Sequence, residues 1–253
     1  MKLARMQSIL RRIYHTLPRP PSTNYNYHSL KTDPYAYLPE HGTVLDVGGK
    51  DVRGCYVFGK PPESCKLICL DIEPGPGVDL VADAHNLEML SDNSIDCVVA
   101  VSALEHMEKP WLVVAELYRV LKPGGIIYLN TPFVFPFHGD PDDFYRFSHH
   151  GLVKICCNFE RLDSGFNRGP ASTTTHILIH FLAISFSFNS KLLYGIMVDM
   201  FTWLLFWIKY FDRFVAKYQQ AYVIHSGAFF IGRKPHHPDI SQTYEPIGLD
   251  PWD

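Results

Sequence analysis

The chain has 253 residues and a mass of 29.0 kDa, and 47% of its residues are hydrophobic against 19% charged. This balance predicts one domain, or one domain with a large insertion, and excludes an intrinsically disordered chain. The formal net charge of −3 excludes a nucleic-acid-binding protein that relies on a global positive field. The six cysteines form no CxxC pair and have no zinc-site spacing to histidines, so the sequence predicts reduced thiols, as in the cytoplasm, and no metal site.

The amino-terminal region is basic. Its first 32 residues contain no acidic side chain, and five apolar residues recur at helical spacing: Leu3, Met6, Ile9, Ile13 and Leu17. Arg11 and Arg12 interrupt the apolar stretch that a secretory signal requires. Residues 1–41 are therefore predicted to form a basic amphipathic helix and a Pro/Tyr-rich arm, and residues 235–253 a polar tail. The helix either lies on a membrane surface or caps the domain.

Five short apolar runs predict the strands of a parallel sheet that is covered on both faces. They are Thr43–Val47, Lys66–Leu70, Val78–Ala82, Ile95–Val101 and Ile126–Asn130. Apolar residues at helical spacing from Trp111 to Leu121 separate the last two runs, which gives a β-α-β unit and an α/β fold. The connection between the second and third runs is too short for a crossover helix, so we expect an extended return and a short third strand.

Acidic residues follow three successive predicted strands. Asp46 ends the first strand just before Gly48 and Gly49, Asp71 ends the second, and Asp83 follows the third. Because parallel strands bring their carboxyl ends to one edge of the sheet, these groups are predicted to line one crevice. The chain has no GxGxxG turn and no P-loop lysine, which favours a nucleoside without phosphates, such as S-adenosylmethionine, over NAD or ATP.

The order of these motifs is similar to that of the class I S-adenosylmethionine-dependent methyltransferases, in the type 11 branch that includes ubiquinone and menaquinone methyltransferases. The motifs are Val44-Leu45-Asp46-Val47-Gly48-Gly49, Leu70-Asp71, Ala82-Asp83-Ala84, Ser94-Ile95-Asp96-Cys97-Val98-Val99, Leu104-Glu105-His106 and Arg119-Val120-Leu121-Lys122-Pro123-Gly124-Gly125. The resemblance covers Gly42 to Gly165. It implies a Rossmann-like, doubly wound, mostly parallel sheet of seven strands with an antiparallel last strand.

The resemblance also implies S-adenosylmethionine as the cofactor. The cofactor-binding residues that it implies are Asp46, Gly48, Gly49, Asp71, Ile72, Asp83, Ala84 and Ser102. Lys50 stands where the family usually has a third glycine.

The loop from Thr131 to Ser148 mixes aromatic residues with His, Asp and Arg, so it is a candidate for acceptor binding. Asp143, Tyr145 and Arg146 are the predicted substrate-binding residues, although Arg146 paired with a nearby acid would instead fix the loop. Methyl transfer is mainly a matter of alignment, and a base is needed only for an acceptor such as a hydroxyl group. His106 and His138 are the candidate catalytic bases, and Glu105 would orient a partner.

The segment between the last two predicted strands is an apolar insertion. Phe159–Gly165 and Tyr222–Gly232 resemble strands six and seven of the class I fold, which leaves residues 167–220 between them. The run from Leu192 to Phe211 is long enough to span a bilayer, but Asp199 at its middle disfavours a span. The aromatic residues from Trp203 onward, followed by Lys209, Arg213 and Lys217, are typical of an interfacial helix. The alternative is that residues 177–217 form a lid or a dimer contact.

The sequence thus predicts a methyltransferase domain over residues 42–234, with an apolar helical insertion at 167–220. The expected reaction moves a methyl group from S-adenosylmethionine to a small-molecule, sugar or lipid-linked acceptor, preferably at oxygen. The expected location is the cytoplasm, with contact at the inner face of a membrane or a homodimer through 177–217 as options. The alternative function, motivated by Lys50, is a non-catalytic binding or scaffold protein that keeps this fold.

Overall fold

The computed structural model describes residues 18–25, 33–50, 61–139 and 142–236. The predicted amino-terminal helix and all but two residues of the predicted tail lie outside this part of the chain. Two compact units are present: a sheet unit of residues 28–167 and 225–253, and a helical unit of residues 1–27 and 168–224.

The sheet unit contains one seven-stranded sheet in the order β3-β2-β1-β4-β5-β7-β6. The first five strands run parallel, and β7 is antiparallel to both β5 and β6. The strands are β1 (Thr43–Val47), β2 (Lys66–Asp71), β3 (Leu80–Val81), β4 (Ile95–Val101), β5 (Leu121–Pro132), β6 (Glu160–Phe166) and β7 (Gly227–Arg233). This arrangement confirms the predicted doubly wound sheet and its antiparallel last strand.

Helices and short 3₁₀ turns complete the sheet unit. The α-helices are α1 (Pro110–Val120) and α2 (His149–Ile155), and the 3₁₀ turns are Pro34–Tyr37 and Leu104–His106. Alternate residues of the central strands belong to two separate apolar clusters, as the two-residue period of a strand requires. One cluster includes the apolar side chains of α1 and α2, and the other includes Tyr35. The sheet is therefore buried on both faces.

The predicted connection without a helix between β2 and β3 is confirmed, because residues 72–79 contain no helix. The third strand is shorter than the predicted Val78–Ala82. Asp79 accepts the backbone N–H of Cys69 with its carboxylate at 2.9 Å, and its own N–H donates to the Cys69 carbonyl. A side chain thus replaces one acceptor of the strand ladder, and only Leu80 and Val81 pair with β2.

The helical unit contains α3 (Pro170–Phe186), α4 (Lys191–Leu205) and α5 (Asp212–Val215), with 3₁₀ turns at Phe206–Phe211 and Gln219–Val223. It therefore contains the predicted apolar helical insertion. The fully buried carboxylate of Asp212 accepts the backbone N–H groups of Ala171 and Ser172 at 2.8 and 2.9 Å. An anion at the start of α3 is favoured because four N–H groups there lack partners within the helix and carry partial positive charge.

The stretch from Lys191 to Val215 is long and apolar enough to cross a membrane, judged by length and composition alone, and 11% of its most apolar window is buried. Asp199, the acidic residue near the middle of its apolar part, lies 3.7 Å from the guanidinium group of Arg19. One part of the predicted interfacial pattern differs. Lys209 is buried and donates to the carbonyl of Ser22, so it is not on the surface with Arg213 and Lys217.

Candidate active site

Two glycines form the turn after β1. Gly48 has a φ of +74°, a conformation that favours glycine, and a Cβ atom added there would lie 3.0 Å from the Ala103 side chain. A Cβ atom on Gly49 would lie 2.5 Å from Oδ2 of Asp46. Any larger residue at these two positions would meet Ala103 or Asp46, so the turn requires glycine. The Asp46 carboxylate lies against the turn.

Asp71 at the end of β2 is tied to the same turn. Its Oδ2 accepts the backbone N–H of Lys50 at 3.3 Å, and its Oδ1 accepts that of Glu73 at 3.0 Å. The Lys50 ammonium group lies 2.6 Å from Oε2 of Glu73 and lowers the pKa of that exposed carboxyl. Lys50, the departure from the family's third glycine, is thus accommodated by a backbone hydrogen bond and a surface ion pair.

The remaining predicted cofactor residues follow β2, β3 and β4. Asp83 accepts the backbone N–H and ring nitrogen of His85 at 2.9 and 2.6 Å. Burial raises the pKa of Asp83, but these hydrogen bonds outweigh it and leave the pKa below its usual value. Ala84 is buried, whereas Ile72 exposes 62% of its surface. Ser102 takes a left-handed φ of 51°, and its N–H donates to the Asn130 carbonyl at 2.8 Å.

These positions share one edge of the sheet. From β1 the chain first adds β2 and β3 on one side of the sheet, and it then crosses to add β4 and β5 on the other side. Doubly wound sheets bind ligands at such a switch point, which here lies between β1 and β4. Gly48 and Ser102 follow the two strands at this point, and Asp71 is the last residue of the next strand outward. The glycine turn and Asp71 thus lie at the predicted edge of the sheet, and their binding of a cofactor stays a prediction.

A second polar group surrounds Glu105, on the 3₁₀ turn after β4. Its side chain is fully buried, and neither carboxylate oxygen has a hydrogen-bond partner within the described residues. The Nε2 atoms of His106 and His138 lie 3.8 and 3.6 Å from its Oε1. Burial raises the pKa of Glu105, because the ionised form loses its hydration. The structure therefore brings together both predicted catalytic histidines, around a carboxylate predicted only to orient a partner.

Backbone carbonyls orient both imidazole rings. The Nδ1 of His106 lies 2.5 Å from the carbonyl oxygen of Asp142, and the Nδ1 of His138 lies 3.1 Å from that of Pro136. A carbonyl accepts hydrogen bonds and never donates, so each Nδ1 carries a proton, and in the neutral form of each ring Nε2 keeps a lone pair. The two Nε2 atoms both face Glu105.

Arg146 and Asp143 form a bidentate ion pair, in which each guanidinium nitrogen meets one carboxylate oxygen. This pairing with Arg146 holds the pKa of Asp143 well below its usual value. Arg146 also donates to the carbonyls of Phe135, Pro136 and Tyr145. The contacts match the alternative prediction, in which Arg146 fixes the loop, and the role of the pair in substrate binding stays a prediction.

Tyr145, the third predicted substrate-binding residue, donates its hydroxyl to the carbonyl of Glu108 at 2.8 Å. Its neighbour Phe144 donates its backbone N–H to the Glu105 carbonyl at the same distance. The acceptor loop is thus hydrogen-bonded to the turn after β4. The burial of Glu105 has no signal in the sequence, because a carboxylate that follows a strand is normally solvated.

Comparisons with known proteins agree with this geometry. The family model described as "Methyltransferase domain" matches residues 59–129. An uncharacterized methyltransferase of Mycobacterium bovis is 31% identical over 112 residues, which cover 40% of this chain and 44% of the relative. The thiol S-methyltransferase TMT1B of Rattus norvegicus is 32% identical over 85 residues, which cover 26% of this chain and 34% of the relative. The chain thus spans less than half the length of these curated relatives.

Among solved structures, coclaurine N-methyltransferase bound to N-methylheliamine and S-adenosylhomocysteine is similar with a TM-score of 0.51. The match covers 89% of this chain and 82% of that chain at 11% identity, so it bears on the fold alone. The strand order and this structural similarity show the fold of the class I S-adenosylmethionine-dependent methyltransferases, and residues 59–129 of the sheet unit match the methyltransferase domain family.

Proposed function

We propose that the chain transfers a methyl group from S-adenosylmethionine to an oxygen atom of a small-molecule, sugar or lipid-linked acceptor. The observation that carries this proposal is the glycine turn of Gly48 and Gly49, which is hydrogen-bonded through Lys50 to the carboxylate of Asp71. The solved coclaurine N-methyltransferase carries S-adenosylhomocysteine, the product form of this cofactor, on the same fold.

The residues at the turn fit such a cofactor. A carboxylate has about four lone-pair positions, and the two backbone N–H groups that reach Asp71 use two of them. The rest remain for the two hydroxyl groups of a ribose. Gly48 and Gly49 admit a ligand against the backbone, Asp46 lies beneath them, and Asp83 and Ala84 would receive the adenine. When bound, S-adenosylmethionine supplies an electrophilic methyl group on its sulfonium.

The preference for oxygen depends on the histidines. An amine or thiolate attacks without help, whereas a hydroxyl group needs a base to accept its proton. In their neutral forms His106 and His138 each present an Nε2 lone pair, since carbonyls accept from their Nδ1 atoms. A curated relative is named as a thiol S-methyltransferase and a structural neighbour as an N-methyltransferase, so sulfur and nitrogen acceptors are the competing classes.

Titration calorimetry with S-adenosylmethionine and S-adenosylhomocysteine tests the cofactor site. We expect micromolar binding by the wild type and at least tenfold weaker binding by Asp71→Ala, because each hydrogen bond to a charged group contributes about 1.5–3 kcal/mol. Asp79→Ala is a matched control, since Asp79 accepts a backbone N–H of β2 instead. No binding by the folded wild type would contradict the proposal and favour the scaffold alternative.

The acceptor class is tested by transfer of a labelled methyl group to panels of hydroxyl, thiol and amine compounds, including glycans and lipid-linked sugars. The oxygen proposal predicts turnover with hydroxyl compounds that falls at least tenfold in His138→Gln. Turnover confined to thiols or amines would refute oxygen as the acceptor atom while leaving methyl transfer in place.

We also propose that the helical unit contacts a membrane surface at the cytoplasmic face. Of the 24 large hydrophobic side chains that are exposed among the described residues, 16 lie between Ile177 and Ile224. They include Trp203 and Trp207, and aromatic rings of this kind are favoured at membrane interfaces. Exposed apolar side chains that are concentrated in one unit mark an interaction surface when they form a patch, and a membrane is the partner proposed here.

Flotation with vesicles that contain anionic lipid tests this contact. We expect the full chain to float and the double variant Phe181→Ser/Trp207→Ser to lose at least half of the bound fraction, whereas Phe137→Ser should float like the wild type. Phe137 is exposed in the sheet unit, so it controls for the loss of any exposed ring. If neither the full chain nor a form that lacks residues 1–18 floats with the vesicles, membrane contact is refuted.

A further inference from the structure

Glu105, His106 and His138 form a cluster whose charge is balanced only by an added proton or cation. Carbonyls accept from Nδ1 of both imidazole rings, so in the neutral rings the two Nε2 atoms face the Glu105 carboxylate with their lone pairs. One ligand atom from each of the three residues lies within 4.8 Å of the others. Electron-rich atoms this close repel one another when no proton or cation lies between them.

The burial of the Glu105 carboxylate makes the need for a balancing proton or cation unusual. Glu105 is fully buried and no hydrogen bond reaches either oxygen from the described residues, although buried carboxylates are normally paired or coordinate a metal. The separations suit an ion: two atoms that each lie about 2.1 Å from one metal are at most about 4.2 Å apart. The two distances from Oε1 to the imidazole nitrogens, 3.6 and 3.8 Å, fall below that limit, and the two imidazoles bring their ligand atoms within 4.8 Å of each other.

The groups around the cluster resemble the outer shell of a metal site. A metal-ligating histidine usually donates its other ring N–H to a carbonyl or a carboxylate, which fixes the ring and its tautomer. His106 has the Asp142 carbonyl in this place, and His138 has that of Pro136. The Oδ2 of Asp143 lies 3.4 Å from the same Nδ1 of His138 and is itself paired with Arg146.

We propose that Glu105, His106 and His138 bind one divalent transition-metal ion through Oε1 and the two Nε2 atoms. Two imidazoles and one carboxylate suit Zn²⁺, Fe²⁺, Mn²⁺ or Co²⁺, whereas Mg²⁺ and Ca²⁺ prefer oxygen ligands throughout. Three protein ligands leave a coordination position for water or for an oxygen atom of an acceptor. An imidazole whose Nε2 binds the ion cannot also take a proton there, so in the metal-bound protein the ion, which lowers the pKa of a coordinated hydroxyl group, replaces the two histidines in activating the acceptor. Binding of the ion depends on this cluster alone; only a role in holding the acceptor depends on the proposed methyl transfer.

The test uses tag-free full-length protein that has been stripped with a chelator and titrated with Co²⁺ and then with Zn²⁺. We expect one equivalent of Co²⁺ to give visible absorption bands that Zn²⁺ abolishes. Glu105→Gln and His138→Gln should each weaken Zn²⁺ binding at least tenfold. His150→Gln, which removes an exposed histidine of the same unit, should bind like the wild type.

Each outcome decides the question. Circular dichroism and S-adenosylhomocysteine titration of every variant separate loss of the metal site from loss of the fold or of the cofactor site. Metal affinity that is unchanged in Glu105→Gln and His138→Gln would assign the ion to surface histidines and overturn the proposal. A folded wild type that binds no Co²⁺ or Zn²⁺ would also overturn it, and a proton shared between Glu105 and the imidazoles would then fill the cluster.

Discussion

Two buried imidazoles of the sheet unit make its stability depend on pH. His149 and His225 are 4% and 1% exposed, and burial lowers the pKa of each to about 4 from the usual 6.5. In the unfolded chain these rings bind protons below pH 6.5, whereas in the folded chain they stay neutral until about pH 4. Unfolding therefore takes up protons within this window, and the free energy of unfolding falls as the pH falls.

The magnitude follows from the two pKa values. Between pH 7.5 and pH 5, each imidazole lowers the free energy of unfolding by about 2 kcal/mol, and its full contribution by pH 4 is about 3 kcal/mol. Glu105 acts in the opposite sense, because burial raises its pKa and the folded state then holds its proton more strongly. The pair Asp143–Arg146 loses its contribution at lower pH, since the pKa of Asp143 lies below its usual value.

A comparison of variants isolates the imidazoles from these other groups. Urea unfolding of the wild type, His149→Gln and His225→Phe at pH 7.5 and pH 5 gives the change in stability for each protein. The phenyl ring keeps the stacking of His225 on Phe166. Each variant should lose about 2 kcal/mol less than the wild type over this range, and His41→Gln, which removes an exposed imidazole of the same unit, should match the wild type. Equal losses in all four proteins would refute the reasoning.

Three further predictions concern buried contacts. Asp212→Ala removes the acceptor of two backbone N–H groups at the start of α3 and should lower stability by about 2–4 kcal/mol, with a smaller loss in Asp212→Asn, measured by thermal unfolding. Gly49→Ala pushes against the Asp46 carboxylate and should weaken S-adenosylhomocysteine binding at least tenfold in calorimetry, whereas Gly151→Ala should not. Lys234→Met leaves carbonyls at the end of α1 without their ammonium donor and should lower stability by about 2 kcal/mol in urea unfolding.

The strands were predictable from the sequence because burial on both faces demands uninterrupted apolar runs, and the β1 and β4 bounds agree with Thr43–Val47 and Ile95–Val101. The length of β3 could not be predicted from the sequence, because the Asp79 carboxylate replaces a backbone acceptor only once the chain has folded. The start of β5 at Leu121 also differs from the predicted Ile126. Gly124, with a φ of +82°, lies within this strand.

The two histidines of the candidate site were identified from residue type and position, but their relation to Glu105 was not. That relation depends on a loop about 40 residues further along the chain, whose Phe144 donates its N–H to the Glu105 carbonyl. Periodicity describes neighbours within one element, so it contains no information about this return. The unfilled hydrogen-bonding capacity of Glu105 is visible only from the packed side chains.

The two ends of segment 168–224 lie next to each other at the ends of β6 and β7, so the segment can be replaced without altering the sheet. Phe166 and Ala228 are paired residues of β6 and β7, and the N–H of Asn167 donates to the Gly227 carbonyl at 3.1 Å. The departure and return of the chain are therefore side by side, where antiparallel strands are otherwise joined by a short hairpin. The whole segment can in principle be exchanged for a turn, or grafted onto a related sheet, without changing the pairing register of any strand.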